Sequence, residues 1–355
     1  MLDRHTPHCR ARDDKREVEF ANNARSRLAS SLMANKAVLA GGSGFLGRAL
    51  ARRLAADGWE VSVLTREPDR FPPRDGLVRA VGWNGETAGV WRKELEGATV
   101  LVNLAGRSIN CVHTLENSRA ILESRVNAVQ ALGRAVAMVK QPPAAWVQCS
   151  AAGYYGNAGD RFCEESLPPG PGFLAEVCRL WEESFAALDL PGVRRVVLRL
   201  GPVLDQGTGP LPAMLRLTRK FLGGAAGTGR QYLSWVHRDD AVAMFAAAAT
   251  RPELAGTYNA CAPCPVTNME FKRELRAAVG RPWCPPAPEF VVRLVAENVF
   301  QTDGNLVLHG QRLLTARLQA AGFAFTYNTL SSALADLVGK KRAQTKPAHG
   351  PGSAG

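Results

Sequence analysis

A glycine-rich turn between an apolar run and a helical pattern constrains the fold more than any other part of the sequence. Residues 36–39 are typical of a strand, residues 41–47 form the turn GGSGFLG, and residues 48–56 have the apolar spacing of a helix, which Gly58 ends. A second strand-like run follows at 60–64. This order of strand, turn, helix and strand predicts a βαβ unit that binds a nucleotide.

Three glycines of the turn have separate expected roles. Gly41 permits a tight exit from the strand, Gly44 lets a pyrophosphate approach the backbone, and Gly47 lets helix and strand pack closely. Free amide groups at the start of the helix then face the phosphates of a dinucleotide. We therefore predict that the dinucleotide contacts Gly41, Ser43, Gly44, Phe45, Leu46 and Gly47. The alternative is a glycine-rich loop that serves close packing only.

The end of the second strand indicates which dinucleotide binds. An acidic residue there would bind the ribose 2′-hydroxyl of NAD, whereas Thr65 and Arg66 offer a hydroxyl and a guanidinium that suit the 2′-phosphate of NADP. NADP is therefore the predicted cofactor. Glu67, next to Arg66, keeps NAD possible, and Arg66 could instead be a solvated surface residue.

Short apolar runs alternate with helical patterns along much of the chain. The runs are 37–40, 61–64, 77–81, 100–104, 146–149 and 196–200. Such alternation is typical of an α/β protein, so we predict a Rossmann-like, doubly wound parallel sheet with helices on both faces. After residue 204 glycine and proline become frequent, and helical patterns follow at 239–249, 268–279, 288–299 and 311–321. We expect a smaller, mostly helical C-terminal lobe that closes over the ligand crevice.

These patterns divide the chain into four segments. We expect a disordered extension at 1–33, an NAD(P)-binding Rossmann domain at 34–204, a substrate-side and C-terminal helical lobe at 205–338, and a disordered tail at 339–355. A strand and a helix near 232–250 are expected to return to the Rossmann core. Met33 stands just before the first strand and is a possible biological start.

Composition argues against several classes of protein. The formal net charge is +12, but Lys and Arg are scattered without a basic stripe, so nucleic acid is not a predicted partner. No apolar run approaches the roughly 20 residues of a membrane span, so we predict no membrane partner and a cytoplasmic location. The eight cysteines have irregular spacings that fit a reducing compartment. Cys261 and Cys264 form a CxxC motif without a second pair, so we predict no metal site.

Several segments together carry a resemblance to a known family. They are 40–47 (AGGSGFLG), 102–106 (VNLAG), 123–126 (ESRV), 150–156 (SAAGYYG), 181–182 (WE), 227–231 (GTGRQ), 234–240 (SWVHRDD) and 320–325 (AAGFAF). Residues 34–338 resemble the sugar-nucleotide epimerase-like subfamily of the extended short-chain dehydrogenase/reductases, which ends in a C-terminal domain of unknown function. The resemblance implies that Leu104, Ala105 and Gly106 line the adenosine side of the cofactor, that Arg125 reaches into the cofactor site, and that Gly201 and Val203 pass near the nicotinamide.

The resemblance fails at the catalytic residues. Enzymes of this superfamily use a Ser or Thr, a Tyr that acts as the base, and a Lys four residues after it that lowers the pKa of the Tyr. Here Ala151 takes the place of the serine, and alignment on Glu182 puts Leu174 and Cys178 at the positions of the Tyr and the Lys. No Tyr-x-x-x-Lys motif occurs in the chain. A tyrosine with an ordinary pKa near 10 is almost fully protonated at neutral pH, so the usual base is missing.

The hydroxyls that remain near the expected nicotinamide are Ser150, Tyr154 and Tyr155, and we take these three as candidate catalytic residues. Ser150 is also a candidate cofactor contact. On the following loop, Asp160, Glu164 and Glu165 are candidate acids or bases, and the alternative for all of these residues is a packing or turn role. His237 is expected to anchor the loop before a helix that Asp239 caps.

Two functions fit this sequence. The first is an NADP-dependent oxidoreductase or isomerase that acts on a nucleotide sugar or a similar polar substrate with a rearranged proton-transfer site. The second is a non-catalytic cofactor-binding protein, such as a redox sensor or a partner in a complex, for example one linked to cell division. A long helical segment at 118–140 could form the interface of a homodimer, so the sequence is consistent with both a monomer and a homodimer.

Overall fold

The computed structural model describes residues 35–71 and 76–339. In chain order its strands are β1 (Lys36–Ala40), β2 (Glu60–Thr65), β3 (Val78–Gly82), β4 (Val100–Asn103), β5 (Ala145–Ala151), β6 (Phe162–Cys163), β7 (Arg194–Leu200), β8 (Val203–Leu204), β9 (Tyr232–Leu233), β10 (Val236–His237), β11 (Gly256–Ala260), β12 (Val266–Thr267) and β13 (Arg312–Leu313). Its α-helices are α1 (Phe45–Ala56), α2 (Leu115–Ala137), α3 (Phe173–Ala186), α4 (Leu211–Arg219), α5 (Arg238–Thr250), α6 (Asn268–Ala278), α7 (Glu289–Asn298), α8 (Asn305–Leu308), α9 (Ala316–Ala320) and α10 (Leu330–Gly339). Short 3₁₀ helices lie at Pro68–Arg70, Val90–Leu95 and Ala152–Tyr155.

Seven of the strands form one parallel sheet in the order β3-β2-β1-β4-β5-β7-β11. The chain adds strands on one side of β1 and then, from β4 onward, on the other. In a doubly wound sheet this reversal opens a ligand crevice beyond the carboxyl ends of the strands. The predicted Rossmann-like fold class is confirmed.

Helices bury both faces of the sheet, which is why its strands are apolar on both sides. In β1, Ala37 and Leu39 belong to a core cluster that includes α1 and α5. Val38 and Ala40 point to the other face and belong to a second cluster that includes α2 and α3. Helix α5 packs against α1 in the first of these clusters, so a helix from the second half of the sequence covers the same face of the sheet as α1.

The C-terminal part of the chain is mostly helical and has a core of its own. That cluster includes Leu211 and Leu215 of α4, Phe271 and Leu275 of α6, and Leu330 and Leu334 of α10. Across residues 35–71 and 76–339, every helix is too short or too polar to cross a bilayer.

Two differences from the expected elements concern the strands around Asn259 and Arg312. The edge strand β11 was not predicted, because its sequence GTYNA is not an apolar run and its buried Asn259 serves hydrogen bonds instead. The expected helix at 311–321 is a short strand followed by the five-residue helix α9, since Arg312 and Leu313 pair with β6. The expected extension at 1–33 and residues 340–355 of the expected tail lie outside the described residues, while Gly339 ends α10.

Candidate functional site

The glycine turn joins β1 to α1 at the switch point of the sheet. Gly41 has a φ of +72°, and a Cβ on it would lie 2.8 Å from the backbone nitrogen of Ala105. A Cβ on Gly47 would lie 2.5 Å from the Cα of Gly42. Both positions therefore require glycine, for backbone conformation and close approach at Gly41 and for close packing at Gly47.

Gly44 has the opposite environment. It is the exposed N-cap of α1, which begins at Phe45, three residues earlier than the sequence pattern indicated. A Cβ on Gly44 would meet a single neighbour within 4 Å, the carbonyl oxygen of Gly41 at 3.4 Å. The first amide groups of α1 have no acceptor inside the helix, so an open approach leads to unsatisfied donors at the positive end of a helix dipole. This geometry fits a diphosphate.

The end of β2 adjoins the same turn. The hydroxyl of Thr65 donates to the hydroxyl of Ser43 at 3.0 Å, which ties the turn to the strand that was predicted to contact the ribose. Arg66 follows and is exposed. Glu67, the acidic residue that would favour NAD as the cofactor, forms an ion pair with Arg70. The Nη1 atom of Arg70 lies 3.0 and 3.1 Å from the two carboxylate oxygens of Glu67.

The loop after β4 packs directly against the turn. The amide of Leu104 donates to the carbonyl of Ala40 at 2.8 Å, and Ala105 is the residue that a side chain on Gly41 would strike. A Cβ on Gly106 would lie 3.2 Å from the guanidinium carbon of Arg125. The structure therefore brings these predicted cofactor residues together beside the phosphate turn.

Arg125 extends from α2 toward that loop. Its Nη1 donates to the carbonyls of Arg107 and Ile121 at 3.0 and 2.9 Å, and its guanidinium lies 5.1 Å from the ring of Trp181. Burial lowers the pKa of Arg125 below its ordinary value. Among the described residues no carboxylate pairs with it, so its charge is available to an anionic ligand beside Gly106.

Ser150, at the end of β5, is the first member of a buried hydrogen-bond network. Its hydroxyl donates to Glu182 Oε1 at 2.6 Å. The same carboxylate receives Nε and Nη2 of Arg199 at 2.9 and 2.8 Å, a bidentate pair between α3 and β7. Ser150 is 1% exposed and Arg199 is 4% exposed, so this pair lies inside the protein.

Tyr155 continues the network toward the edge of the sheet. Its hydroxyl donates to Asn259 Oδ1 at 2.8 Å and accepts from Arg199 Nη1 at 2.9 Å. The side-chain amide of Asn259 in turn donates to the carbonyls of Cys163 and Leu314, both at 2.9 Å. Burial raises the pKa of Tyr155 to about 12, so its phenol stays protonated at neutral pH.

Tyr154 is the half-buried member of the three candidate catalytic hydroxyls. The guanidinium of Arg199 lies 3.4 Å from the centroid of its ring, and the ring of Tyr155 meets it edge to face at 5.4 Å. These contacts fix the orientation of the ring. Tyr154 is therefore the one candidate hydroxyl whose side chain is not fully enclosed.

The positions of the missing catalytic pair are filled by α3. Leu174 Cβ and Cys178 Sγ would lie 3.5 and 3.7 Å from a Cβ on Gly153, in the 3₁₀ turn after β5. Burial raises the pKa of Cys178 to about 12, and burial does the same for Cys149 at the end of β5. Neither thiol is a thiolate at neutral pH, so neither replaces the missing base.

The remaining predicted residues have mainly structural positions. Gly201 is buried, and a Cβ on it would lie 1.9 Å from the carbonyl oxygen of Ser234, while Val203 is buried where β8 pairs with β10. Glu165 accepts the amide of Asn259 at 2.8 Å. Asp160 and Glu164 are exposed.

The prediction that Asp239 caps α5 was wrong. The N-cap residue is His237, whose Nδ1 accepts a hydrogen bond from the backbone amide of Asp239 at 3.1 Å. The His237 ring is fully buried and stacks on Tyr327 at 3.8 Å. Burial lowers its pKa.

Within the described part of the chain, no cluster of three or more His, Cys, Asp or Glu side chains could hold a metal ion. Cys261 is buried and Cys264 is exposed, and both are free thiols.

Sequence reasoning missed two members of the site. Arg199 lies inside the apolar run of β7, and a charged residue in a buried strand is a usable signal, because it requires a buried partner. Arg48, in the first turn of α1, donates from Nε to the carbonyl of Ser43 at 2.6 Å, and its guanidinium lies 4.9 Å from the ring of Phe71. No sequence signal distinguishes it from the other arginines of that helix.

Comparison with known proteins identifies the family. The model of the NAD dependent epimerase/dehydratase family matches residues 37–261, which is more than half of the chain. The chain belongs to this family. A second model, a domain of unknown function, matches residues 287–337, so the predicted resemblance is confirmed in both its parts.

Relatives cover nearly the whole described region. The epimerase family protein YfhF of Bacillus subtilis is 34% identical over 306 residues, which are 86% of this chain and 98% of that protein. The crystal structure of human epimerase family protein SDR39U1 (isoform 2) with NADPH has a TM-score of 0.75 at 30% identity and covers 86% of this chain and 99% of that one. The nucleoside-diphosphate sugar epimerase of Corynebacterium glutamicum has a TM-score of 0.70 at 30% identity, over 88% of this chain and 60% of that one.

Proposed function

We propose that this chain binds NADP(H) at the switch point of its sheet and acts as an oxidoreductase or isomerase on a nucleotide sugar or a similar polar substrate. The observation that carries the proposal is the open approach over Gly44 to the first amide groups of α1, next to the Ser43–Thr65 hydroxyl pair. A human relative at 30% identity was solved with NADPH, and a second relative is described as a nucleoside-diphosphate sugar epimerase.

In this proposal the turn at 41–47 holds the diphosphate through main-chain amide groups. Thr65 and Arg66 contact the adenosine ribose and its 2′-phosphate, Leu104, Ala105 and Gly106 contact the adenosine side, and Arg125 adds a positive charge. Gly201 and Val203 shape the wall near the nicotinamide. When bound, NADP(H) supplies the hydride chemistry, and the protein supplies orientation and proton transfer.

We further propose that Tyr154 exchanges a proton with the substrate, while Ser150 and Tyr155 position it. Ser150 and Tyr155 donate their hydroxyl protons to partners inside the protein and are buried, whereas Tyr154 is half-exposed at the same edge of the sheet. The cation–π contact of Arg199 with the Tyr154 ring holds that ring in one orientation, with its hydroxyl at the half-exposed edge. Arg199 thus positions Tyr154 for the proposed proton transfer.

The test is turnover with full-length protein and NADP⁺ or NADPH, offered a panel of nucleoside-diphosphate sugars. Nicotinamide absorbance reports net oxidation or reduction, and chromatographic separation of the sugar nucleotides reports isomerisation, in which the hydride returns to the substrate and no net absorbance change remains. Tyr154→Phe is expected to lose activity and keep NADPH affinity, because the hydroxyl is needed for the proton and not for binding. Activity that survives unchanged in Tyr154→Phe would contradict the assignment of Tyr154.

A second candidate function is a non-catalytic NADP(H)-binding protein, such as a redox sensor or a partner in a complex. The filling of the usual catalytic positions by Leu174 and Cys178 favours it. It predicts different affinities for NADPH and NADP⁺ and a nicotinamide that stays silent with every sugar of the panel. A cytoplasmic location and a state as monomer or homodimer, without nucleic acid or membrane partners, are part of both proposals.

A further inference from the structure

Arg48 has a position that the predicted cofactor contacts do not explain. We infer that Arg48 is the residue that selects NADP(H) over NAD(H), by binding the 2′-phosphate together with Arg66 beside the Ser43–Thr65 pair. This inference rests on the proposed cofactor site and adds to it a specificity-determining residue on α1, where the sequence pattern pointed only to the end of β2.

The structure holds the Arg48 guanidinium in one place. Its Nε donates to the Ser43 carbonyl at 2.6 Å, and its guanidinium carbon lies 4.9 Å from the centroid of the Phe71 ring, in a cation–π contact. Ser43 is also the residue whose hydroxyl is bonded to Thr65. The guanidinium is therefore fixed at the turn residue that touches the ribose-binding end of β2.

The two terminal nitrogens of the Arg48 guanidinium, Nη1 and Nη2, can donate hydrogen bonds to a ligand. Nε is committed to Ser43, but among residues 35–71 and 76–339 no group accepts a hydrogen bond from Nη1 or Nη2. A guanidinium with two free N–H groups matches the oxygens of a phosphate monoester, which carries up to two negative charges near neutral pH. The contacts with Ser43 and Phe71 reduce the entropy that the side chain would lose when it binds.

The acidic residue next to the site does not compete for Arg48. Both oxygens of Glu67 bond Arg70, so Glu67 is drawn toward the 3₁₀ turn after β2. Arg66 and Arg48 thus present two positive charges around one hydroxyl pair. A 2′-phosphate balances these charges, whereas the neutral 2′-hydroxyl of NAD leaves them uncompensated.

The test uses Arg48→Gln and a matched control, Arg52→Gln, which removes an exposed arginine from the same helix one turn further along. Binding of NADPH, NADH, 2′-AMP and 5′-AMP to the full chain is measured by titration calorimetry, with the thermal midpoint as a check of folding. Loss of a charge-assisted hydrogen-bond pair predicts NADPH and 2′-AMP affinities at least tenfold weaker in Arg48→Gln. NADH and 5′-AMP affinities are expected to change by less than about threefold, and Arg52→Gln to leave all four ligands unchanged.

Three results would overturn the inference, and they are distinguishable. Equal weakening of NADPH and NADH in Arg48→Gln would show that Arg48 only supports the turn. NADPH and NADH affinities that both stay at their wild-type values would show that Arg66 or another group recognises the 2′-phosphate alone. Wild-type protein that binds neither dinucleotide would remove the proposed function as well, and only that result does so. Arg48→Lys, which keeps the charge but not the fork, is expected to retain an intermediate preference for NADPH.

Discussion

Removal of the Tyr155 hydroxyl is the sharpest test of the buried network that joins Tyr155, Asn259 and Arg199. Tyr155→Phe deletes a group that donates to Asn259 and accepts from Arg199 inside the protein. Both partners stay buried, and each loses one hydrogen bond that water does not replace. Tyr154→Phe is the matched control, because it deletes the same atom from the neighbouring residue, which is half-exposed.

The size of the effect follows from these contacts. A buried hydrogen bond contributes about 1 kcal/mol, a bond to a charged group about 1.5–3 kcal/mol, and the two bonds of one hydroxyl are not fully additive. We expect Tyr155→Phe to lower the free energy of unfolding by about 2–3 kcal/mol, which corresponds to a fall of roughly 3–5 °C in the thermal midpoint of a protein of this size. Tyr154→Phe is expected to cost less than about 0.5 kcal/mol.

Thermal unfolding followed by circular dichroism, with saturating NADPH and without it, measures both variants. The prediction pairs two opposite outcomes: Tyr155→Phe loses stability, and Tyr154→Phe loses proton transfer. If Tyr155→Phe unfolds at the wild-type temperature, the hydroxyl is not held by Asn259 and Arg199, and the separation of catalytic and positioning roles fails with it.

Three further predictions concern the cofactor site and the response to pH. Gly44→Val is expected to abolish NADPH binding in calorimetry with a change in stability below about 1 kcal/mol, because a side chain there meets only the Gly41 carbonyl and fills the approach to the α1 amides; retained affinity would place the phosphates elsewhere. Arg66→Asp is expected to shift the ratio of affinities from NADPH toward NADH, and an unchanged ratio would show that Arg66 does not contact the 2′ position. Burial lowers the pKa of His237, so the unfolded chain binds a proton more readily than the folded one, and the free energy of unfolding is expected to fall as the pH drops below about 6.5. His237→Gln should flatten this pH dependence when unfolding is measured between pH 7 and pH 5.5. An equal slope of stability against pH in both proteins would assign the dependence to other groups.

The structure of the glycine turn was predictable from the sequence because local order determines it. Strand, glycine turn and helix are consecutive in the chain, and the roles expected for Gly41 and Gly47 agree with their φ angle and close contacts. Segments far apart in the sequence build the other end. Asn259 is 104 residues from Tyr155, and no periodicity of either segment indicates that they meet.

Two misjudged elements have the same physical cause. Tertiary pairing formed β11 and β13, whose sequences have weak local preferences, and buried hydrogen bonds replaced the apolar contacts that a sequence pattern detects. The cap of α5 was assigned to Asp239 by residue preference, yet the buried ring nitrogen of His237 occupies that role.

The network around Asn259 also joins the C-terminal part of the chain to the turn that carries Tyr154 and Tyr155. The carbonyl of Leu314 accepts from the Asn259 amide, and Gln311 Nε2 donates to the carbonyl of Gly156 at 2.7 Å. Gly156 directly follows the two tyrosines, so the segment at 311–314 stabilises the turn that carries them. A protein shortened before Gln311 would keep its glycine turn and lose the hydrogen bonds that hold its tyrosine turn, so the C-terminal segment is part of the structure that positions Tyr154 and Tyr155.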